Sequence, residues 1–291
     1  MPAVPAQIKE YTRVDLGSDS GARCLDGTRP VVYIDPAVGG ASDRWILSFT
    51  GGGSCAAEDG NDDGVYDDGQ ECSGAYFGGE AGEMGTAAEP AMKNLGGSGG
   101  TSGRIMRPDP GINPVFAGFN RVRVKKCSYD RQNSRATHAG LDALLPNGDP
   151  FTYTLYQHGR RIVPLALDEL RGDTGMGEGL TYTTWVEVGG AVEEQTVILP
   201  PLEHAAFVLM IGHSGGAHGL MHNADQFADY LRSWPEFDGE VRVVLDPNIE
   251  HTWGGVGHIV WWADWGSFPH CPLLGISPCP RLLPVGNEGD L

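Results

Sequence analysis

One segment, residues 206–231, limits the possible folds of this chain more than any other. Its first part, Phe207–Ile211, is a continuous apolar run typical of a buried parallel strand. Residues 212–216 read Gly-His-Ser-Gly-Gly, and a helix is predicted from Gly216 to Leu231. A strand, a tight turn and a helix in this order predict one βα unit of a parallel sheet.

Other segments predict the rest of the architecture. The chain contains several apolar or alternating runs typical of strands, and one run with helical spacing in which Pro164 is placed in the first turn. The order of these elements predicts an α/β fold with a mainly parallel central sheet and helices on both faces. The predicted strands are Val31–Ile34, Trp45–Phe49, Phe119–Lys126, Tyr182–Val188, Val192–Leu199 and Val241–Leu245, and the helix is Tyr156–Leu170.

Three stretches lack such patterns and are rich in Gly, Asp, Ser or Pro. Residues 56–114 are predicted to form a long surface excursion, residues 128–150 a loop and residues 252–291 an irregular tail. The length of 291 residues is normal for a single α/β domain with insertions. We therefore expect one domain over residues 1–291 with long Gly/Asp-rich surface loops.

The turn at residues 212–216 fits the pattern Gly-x-Ser-x-Gly. In a nucleophile elbow the serine occupies a strained turn between strand and helix, and small residues two before and two after it allow the close approach. The helix N-terminus lowers the cost of negative charge beside the serine. This context predicts an α/β-hydrolase-like fold with Ser214 as nucleophile, against the alternative of a tight βα turn without chemistry.

Acyl transfer also requires donors for the oxyanion of the tetrahedral intermediate. One donor is usually the N–H of the residue after the nucleophile, which is Gly215 here. The second comes from a glycine-rich loop after an early strand, and the stretch Ser48–Cys55 has that place in this chain. Gly52 and Gly53 are therefore the candidates, although a flexible glycine turn without chemistry would have the same sequence.

The catalytic acid and base are less evident than the serine. Asp246 follows the strand after the elbow, a position that some lipases use for the acid. His251, His258 and His270 are candidate bases in the tail, and His258 is favoured among them. His218 and His222 are four residues apart on the predicted helix, but no third ligand accompanies them, so they are interpreted as polar or packing residues.

The charge balance excludes one class of partner. The chain has 20 Lys and Arg against 38 Asp and Glu, which gives a net charge of −18. Such a surface repels phosphate backbones, so nucleic-acid binding is not expected, and it disfavours polyanionic glycans. No stretch approaches the run of about 20 apolar residues that a membrane-spanning helix needs.

Six cysteines, an even number without a Cys-x-x-Cys pair, favour three disulfides over a zinc site. Disulfides indicate an oxidising compartment, so a secreted or periplasmic protein is expected, with a reduced protein containing buried thiols as the alternative. The first 15 residues lack the basic and apolar regions of a signal peptide. Export would then require a signal that has been removed or replaced.

The acidic stretch of residues 58–71 resembles a calcium loop. Positions one, three, five, seven and nine carry potential oxygen ligands, Gly64 takes position six, and position twelve is Gln70 where a Glu would be typical. A structural Ca²⁺ and a solvated acidic loop are both consistent with this pattern, and no cofactor is expected for the chemistry. The candidate ligands are Asp59, Asn61, Asp63, Val65 and Asp67.

Several short blocks in the same order resemble the pectin acetylesterase and Notum family. They are CLDG at 24–27, the strand ending in GGGSC at 51–55, NPVFAGFNRVRVKKC at 113–127, YQHGRRIVPLALDEL at 156–170, the elbow with its helix, and VRVVLDP at 241–247. The resemblance implies disulfides Cys24–Cys127, Cys55–Cys72 and Cys271–Cys279, secretion, and hydrolysis of carboxylic esters.

Near Gly53 and Ser54 the family has a larger residue than this chain, so the acyl pocket and the substrate are expected to differ from those of the family. It also has its acid and histidine well beyond the turn that matches Asp246. Only 77 residues (291 − 214) follow Ser214 here, so the chain is expected either to be shortened at its C-terminus or to build its triad from the tail.

Together these features predict a secreted serine hydrolase that cleaves carboxylic esters of a small molecule or an acylated glycan. One alternative is a non-catalytic binding or structural protein, or an inactive fragment, on the same scaffold. A second is a calcium-dependent carbohydrate-binding module, suggested by the acidic loop and the Trp-rich tail.

Overall fold

A computed structural model describes residues 11–17, 21–39, 42–51, 57–58, 67–68, 85–87, 89–93, 105–144, 148–172, 179–188, 191–246, 261–264 and 283–284. The helices are α1 (Gly159–Arg171) and α2 (Gly215–Arg232), with a short 3-10 helix at Leu202–His204. The strands are β1 (Tyr11–Asp15), β2 (Val31–Asp35), β3 (Arg44–Phe49), β4 (Ala57–Glu58), β5 (Asp67–Asp68), β6 (Met92–Lys93), β7 (Asn120–Val124), β8 (Ala136–Leu144), β9 (Pro150–Gln157), β10 (Thr181–Val188), β11 (Ala191–Ile198), β12 (Phe207–His213), β13 (Glu240–Asp246), β14 (Trp261–Asp264) and β15 (Leu283–Pro284).

The described strands form a nine-stranded sheet in the order β15-β14-β13-β12-β3-β7-β2-β1-β6. The four central strands β13, β12, β3 and β7 are parallel, and the flanking strands are antiparallel to their neighbours. Central parallel strands are covered on both faces, which explains the continuous apolar runs of β3 and β12. The α/β-hydrolase-like fold predicted from the sequence is therefore present, with antiparallel strands at both sides of the parallel centre.

The two faces of the sheet are covered differently. On one face α1 and α2 pack together and contribute Leu167 and Phe227 to a core that includes Trp45 and Met210. On the other face the sheet residues pack against Met106 and residues 116–119, which belong to an irregular segment. Both described helices thus lie on the same face, and the segment that covers the opposite face comes from the end of the predicted excursion and the chain just after it.

The edge at which the parallel strands end is called the carboxyl edge. The register pairs Gly212 with Phe49, and Phe49 with Val124, so the ends of β12, β3 and β7 are level. Because β2 runs in the opposite direction, it begins at this edge, and β1 ends beside it through the pair of Asp15 with Val31. The loops that enter β2 and leave β1 therefore lie on the same edge as Ser214.

The structure corrects two predictions of local structure. Residues 128–150 were expected to form a loop, but Ala136–Leu144 is strand β8 and pairs with β9. A bulge between His138 and Leu141 interrupts the alternation of the strand, so its period was not visible in the sequence. Helix α1 begins at Gly159 rather than Tyr156, and Pro164 lies inside it rather than in its first turn.

One disulfide, Cys24–Cys127, lies within the described residues and confirms the pairing that the resemblance implied. Both cysteines are fully buried, and the bridge joins the loop before β2 to the residues after β7. The other two predicted disulfides lie outside the described residues. In the part of the chain that is described, no helix is long and apolar enough to cross a membrane.

Candidate active site

Ser214 lies at the turn between β12 and α2, at the carboxyl edge. Its backbone has φ 51° and ψ −122°, a conformation that residues with side chains rarely adopt. Such strain persists only where surrounding contacts enforce it, and it is common at active sites. The residue is half-buried, and its hydroxyl makes no capping hydrogen bond to the helix.

The two glycines of the Gly-x-Ser-x-Gly pattern are required by close packing. A Cβ atom on Gly212 would lie 2.7 Å from the Cα atom of Ala217, and one on Gly216 would lie 2.2 Å from the carbonyl oxygen of Phe49. Real Cβ atoms do not approach backbone atoms this closely. The glycine at 212 lets α2 pack on its own strand, and the glycine at 216 lets it pack on β3.

A third glycine, Gly51, contacts the serine from the loop that follows the neighbouring strand β3. A Cβ atom on Gly51 would lie 2.5 Å from the Cβ atom and 3.1 Å from the Oγ atom of Ser214. The glycine-rich loop after β3 therefore begins directly against the nucleophile candidate. Gly52 and Gly53, the predicted oxyanion donors, follow at once but lie outside the described residues. Gly51 was not among the residues predicted from the sequence to belong to the site, although it starts the run of three glycines at 51–53.

Gly215, the other predicted oxyanion donor, is the first residue of α2 and is buried. The N–H groups in the first turn of a helix have no intrahelical carbonyl partner. They also lie at the positive end of the helix dipole. The Gly215 amide is therefore in a suitable place to bind an anionic oxygen beside Ser214.

Of the predicted acid and base, only the backbone of Asp246 lies within the described residues. Asp246 is the last residue of β13, and its register partner on β12 is His213, the residue before Ser214. The backbone of Asp246 thus reaches the carboxyl edge on the strand next to the elbow. His258, like His251 and His270, lies outside the described residues, so its position relative to Ser214 stays a prediction.

His218 lies one turn after the serine on α2 and its backbone N–H donates to the Ser214 carbonyl at 3.1 Å. Burial lowers the pKa of His218, and the nearby charges of Arg131 and His222 act in the same direction. Across the described ranges, no group of three or more His, Cys, Asp and Glu could hold a metal ion.

The predicted calcium loop lies mostly outside the described residues. Asp59, Asn61, Asp63 and Val65 are not described, and Asp67 is known only through its backbone pairing with Glu58 between β5 and β4. Nothing in the described residues supports the calcium site, which therefore stays a prediction.

A loop at residues 128–134, here called the polar loop, packs against the first two turns of α2. Tyr129, Arg131 and Gln132 all have φ between 51° and 58°, which is unusual for residues other than glycine. A Cβ atom on Gly219 would lie 2.3 Å from the Gln132 side-chain oxygen and 2.4 Å from the Arg131 carbonyl oxygen. The loop therefore touches the nucleophile helix directly, and the glycine at 219 makes room for it.

Asp130 holds the polar loop in this shape. Its carboxylate accepts hydrogen bonds from the Ser128 hydroxyl and from the backbone N–H groups of Gln132, Ser134 and Gly159, at 2.6 to 3.1 Å. Burial raises the pKa of Asp130, and these four bonds oppose the rise because they favour the charged form. The bond to Gly159 also connects the loop to the first residue of α1.

Asn223 links the same loop to α2. Its side-chain amide donates to the Gln132 carbonyl at 3.2 Å, to the Asn133 side-chain oxygen at 2.6 Å and to the Gly219 carbonyl at 3.0 Å. Asp130 and Asn223 were not predicted from the sequence, because neither belongs to a motif and their contacts join residues distant in the chain. The only signal was the concentration of Asp, Asn and Ser at 128–134.

Two solved structures of the Wnt deacylase Notum from Drosophila have a similar fold. Crystal form II gives a TM-score of 0.54 and crystal form I a TM-score of 0.51, each at 20% sequence identity over 81% of this chain. This chain covers 52% and 51% of those chains, so it spans about half the length of these relatives. At this identity the likeness establishes the fold alone.

A family model described as Pectinacetylesterase matches residues 5–180. The match includes the disulfide, the glycine-rich loop after β3, the polar loop and α1, and it ends before Ser214. The support for Ser214 as a nucleophile therefore comes from the geometry of the turn and not from this match. Because residues 5–180 make up more than half of the 291 residues, this chain belongs to the pectinacetylesterase family.

Proposed function

We propose that this protein hydrolyses carboxylic esters with Ser214 as the nucleophile. The observation that supports this most strongly is the strained serine at the carboxyl edge, enclosed by Gly51 in the loop after β3 and by Gly212 and Gly216 at the strand-to-helix turn. A turn without chemistry needs no serine with positive φ at a half-exposed position. Membership of the pectinacetylesterase family supports the same reaction class.

In the proposed reaction the Ser214 Oγ atom attacks the ester carbonyl carbon and passes its proton to a histidine base. The tetrahedral intermediate collapses, the alcohol leaves with that proton, and an acyl-serine remains. Water activated by the same histidine then releases the acid and restores the serine.

The oxyanion of both tetrahedral intermediates would be held by backbone amides. The Gly215 N–H at the start of α2 is one proposed donor. Gly52 and Gly53, which follow the glycine in contact with Ser214, are the proposed source of the second. Each oxyanion donor contributes on the order of 10²- to 10³-fold to kcat in comparable hydrolases.

Asp246 and His258 are the proposed acid and base. The position of Asp246 at the end of the strand next to β12 supports its role. The base comes from sequence reasoning alone, with His251 and His270 as the other candidates in the tail.

The proposed substrate is a small ester or an acylated glycan, and the proposed location is outside the cytoplasm. The buried disulfide Cys24–Cys127 supports an oxidising compartment. A structural Ca²⁺ in the acidic loop is part of the same proposal, and no cofactor takes part in the proposed chemistry.

The test is hydrolysis of p-nitrophenyl acetate together with covalent labelling by a fluorophosphonate probe. We expect turnover and a single label on Ser214, both abolished by Ser214→Ala. Ser233→Ala is the matched control, because Ser233 lies at the other end of α2 with its hydroxyl bonded to the Tyr230 carbonyl. A folded protein with neither turnover nor label would contradict the proposal and favour a non-catalytic binding protein.

A further inference from the structure

Gln132, in the polar loop, combines two features that each cost stability. Its side chain is buried, with 4% exposed, and neither its amide oxygen nor its amide nitrogen has a hydrogen-bond partner among the described residues. Its φ of 58° lies in the left-handed region that favours glycine. Strained backbone and unpartnered buried polar groups are rare in folded proteins, and where they persist they are common at functional sites.

Gln132 lies between the start of α1 and the second turn of α2. A Cβ atom on Gly159, the first residue of α1, would lie 2.5 Å from the Gln132 Cα atom. A Cβ atom on Gly219 in α2 would lie 2.3 Å from the Gln132 side-chain oxygen. One glycine in each helix thus makes room for this residue, and its side chain is in direct contact with the backbone of α2.

The backbone of Gln132 is held on both sides. Its N–H donates to the Asp130 carboxylate at 2.9 Å, and its carbonyl accepts from the Asn223 amide at 3.2 Å. Asp130 also accepts from the Gly159 N–H at 2.9 Å, so the loop is attached to α1 as well as to α2. The side chain of Gln132 is therefore a spacer of fixed position between the polar loop and Gly219.

Helix α2 has a second close contact, three residues nearer to the proposed nucleophile, where Gly216 meets the Phe49 carbonyl. With a rise of about 1.5 Å per residue, Gly219 lies about 4.5 Å beyond this contact and Ser214 about 3 Å before it. A tilt about the Gly216 contact that moves Gly219 by about 1 Å would therefore move Ser214 by about 0.7 Å. Displacements of this size at reacting groups cost up to about 10²-fold in rate.

We propose that Gln132 is a positioning residue, whose side chain holds α2 at the tilt that aligns the Ser214 hydroxyl and the Gly215 amide with the glycine-rich loop after β3. This inference rests on the proposed function of Ser214. It assigns the role to the length and shape of the side chain, because the amide group has no partner in the described structure through which to act. A residue with this role lowers stability while it raises the catalytic rate.

The test measures kcat and KM for p-nitrophenyl acetate, and the midpoint of urea unfolding, in two variants of Gln132. Gln132→Gly removes the side chain and relieves the unfavourable φ. We expect kcat to fall about tenfold, KM to change less than about twofold, and the unfolding midpoint not to decrease. Gln132→Met keeps the length of the side chain without the amide group. It should keep kcat within about threefold of the unmodified protein and raise the unfolding midpoint.

Arg131→Gly is the matched control. Arg131 is the preceding residue, has a φ of 52° and exposes its side chain, so the substitution relieves the same kind of backbone strain at an exposed position. It should leave kcat and KM within about twofold of the unmodified protein. Amide hydrogen exchange of residues 214–219, measured in all three variants, should be faster than in the unmodified protein only in Gln132→Gly.

Three results would overturn the inference. The first is a Gln132→Gly protein with unchanged kcat, and the second is an equal loss of kcat in Arg131→Gly, which would assign the effect to the loop backbone. The third is a Gln132→Met protein that loses as much kcat as Gln132→Gly, which would assign the role to the amide group.

Failure of the proposed function gives a different result, because the unmodified protein would then show no turnover. Hydrogen exchange decides the inference in that case. Faster exchange in Gln132→Gly alone would support the spacer role of the side chain on α2, whereas equal exchange in all variants would overturn it.

Discussion

The elbow and the polar loop both position the start of α2, but they do so by opposite means. At the elbow three glycines leave no side chain, so that backbone atoms of α2, β3 and the turn come into direct contact. At the polar loop, the buried side chains of Asp130 in the loop and Asn223 on α2 satisfy backbone groups that would otherwise lack partners. The comparison shows that the N-terminal end of α2 is positioned in two ways. Glycines allow close backbone packing on the side of the sheet, and hydrogen bonds hold the helix on the side of the polar loop.

The largest effect is expected at the elbow. Gly216→Ala would place a methyl group 2.2 Å from the Phe49 carbonyl oxygen, which belongs to a central strand and cannot move away cheaply. We expect a loss of about 3 kcal/mol in the free energy of unfolding, measured by urea denaturation, and loss of fluorophosphonate labelling at Ser214.

Gly118→Ala is the control for that substitution, because a Cβ atom there meets nothing within 4 Å. It should change the free energy of unfolding by less than about 0.5 kcal/mol. A Gly216→Ala protein as stable as Gly118→Ala would show that α2 does not depend on close backbone contact.

A smaller effect is expected in the polar loop. Asp130→Asn keeps the shape but directs an NH₂ group at backbone N–H donors, so at least one buried donor loses its acceptor. The expected loss is about 2 kcal/mol in the free energy of unfolding. Asp229→Asn, at an exposed site on α2, should cost almost nothing. Equal stability of the two variants would mean that the polar loop does not support α2.

Asn223→Ala tests the link between the polar loop and α2 from the helix side. It removes the NH₂ group whose two hydrogens are shared among three acceptors, of which the Gly219 carbonyl can still bond within the helix. We expect a loss of about 1.5 kcal/mol in the free energy of unfolding. Asn223→Asp, which has no N–H to donate, should cost at least as much. If Asn223→Asp is neutral in urea denaturation, the amide donors contribute little to the link.

The smallest effect concerns pH. His158 precedes α1 and is buried, with its Nδ1 atom accepting the Arg23 N–H at 3.2 Å. Burial lowers the pKa of His158, and the positive charge of Arg161 lowers it further. As the pH falls below about 6.5, the unfolded chain therefore takes up the proton first, and the free energy of unfolding decreases.

The decrease is expected to stay below about 1.4 kcal/mol per pH unit, measured by urea denaturation between pH 7.5 and 5. His158→Gln should flatten the profile relative to the unmodified protein. Parallel profiles for the unmodified protein and His158→Gln would contradict the assignment.

Local patterns predicted most of the parallel core. Six strands lie within two residues of their predicted bounds: β2, β3, β12, β13 and the hairpin strands β10 and β11. Their residues are either continuously apolar or regularly alternating, so the pattern is visible in the sequence. The bulged strand β8 was missed because its alternation is broken. The start of α1 was placed three residues early because the end of β9 continues the apolar spacing.

The sequence alone determined the turn at Ser214, because a buried strand, two glycines and a helix in immediate succession leave one way to connect them. It could not determine what meets that turn from elsewhere in the chain. The contacts of Gly51 with Ser214 and of the polar loop with Gly219 join residues far apart in sequence, and only the tertiary structure brings them together. A short stretch of sequence therefore identifies a candidate nucleophile such as Ser214. The residues that contact it from other parts of the chain are determined only by tertiary packing.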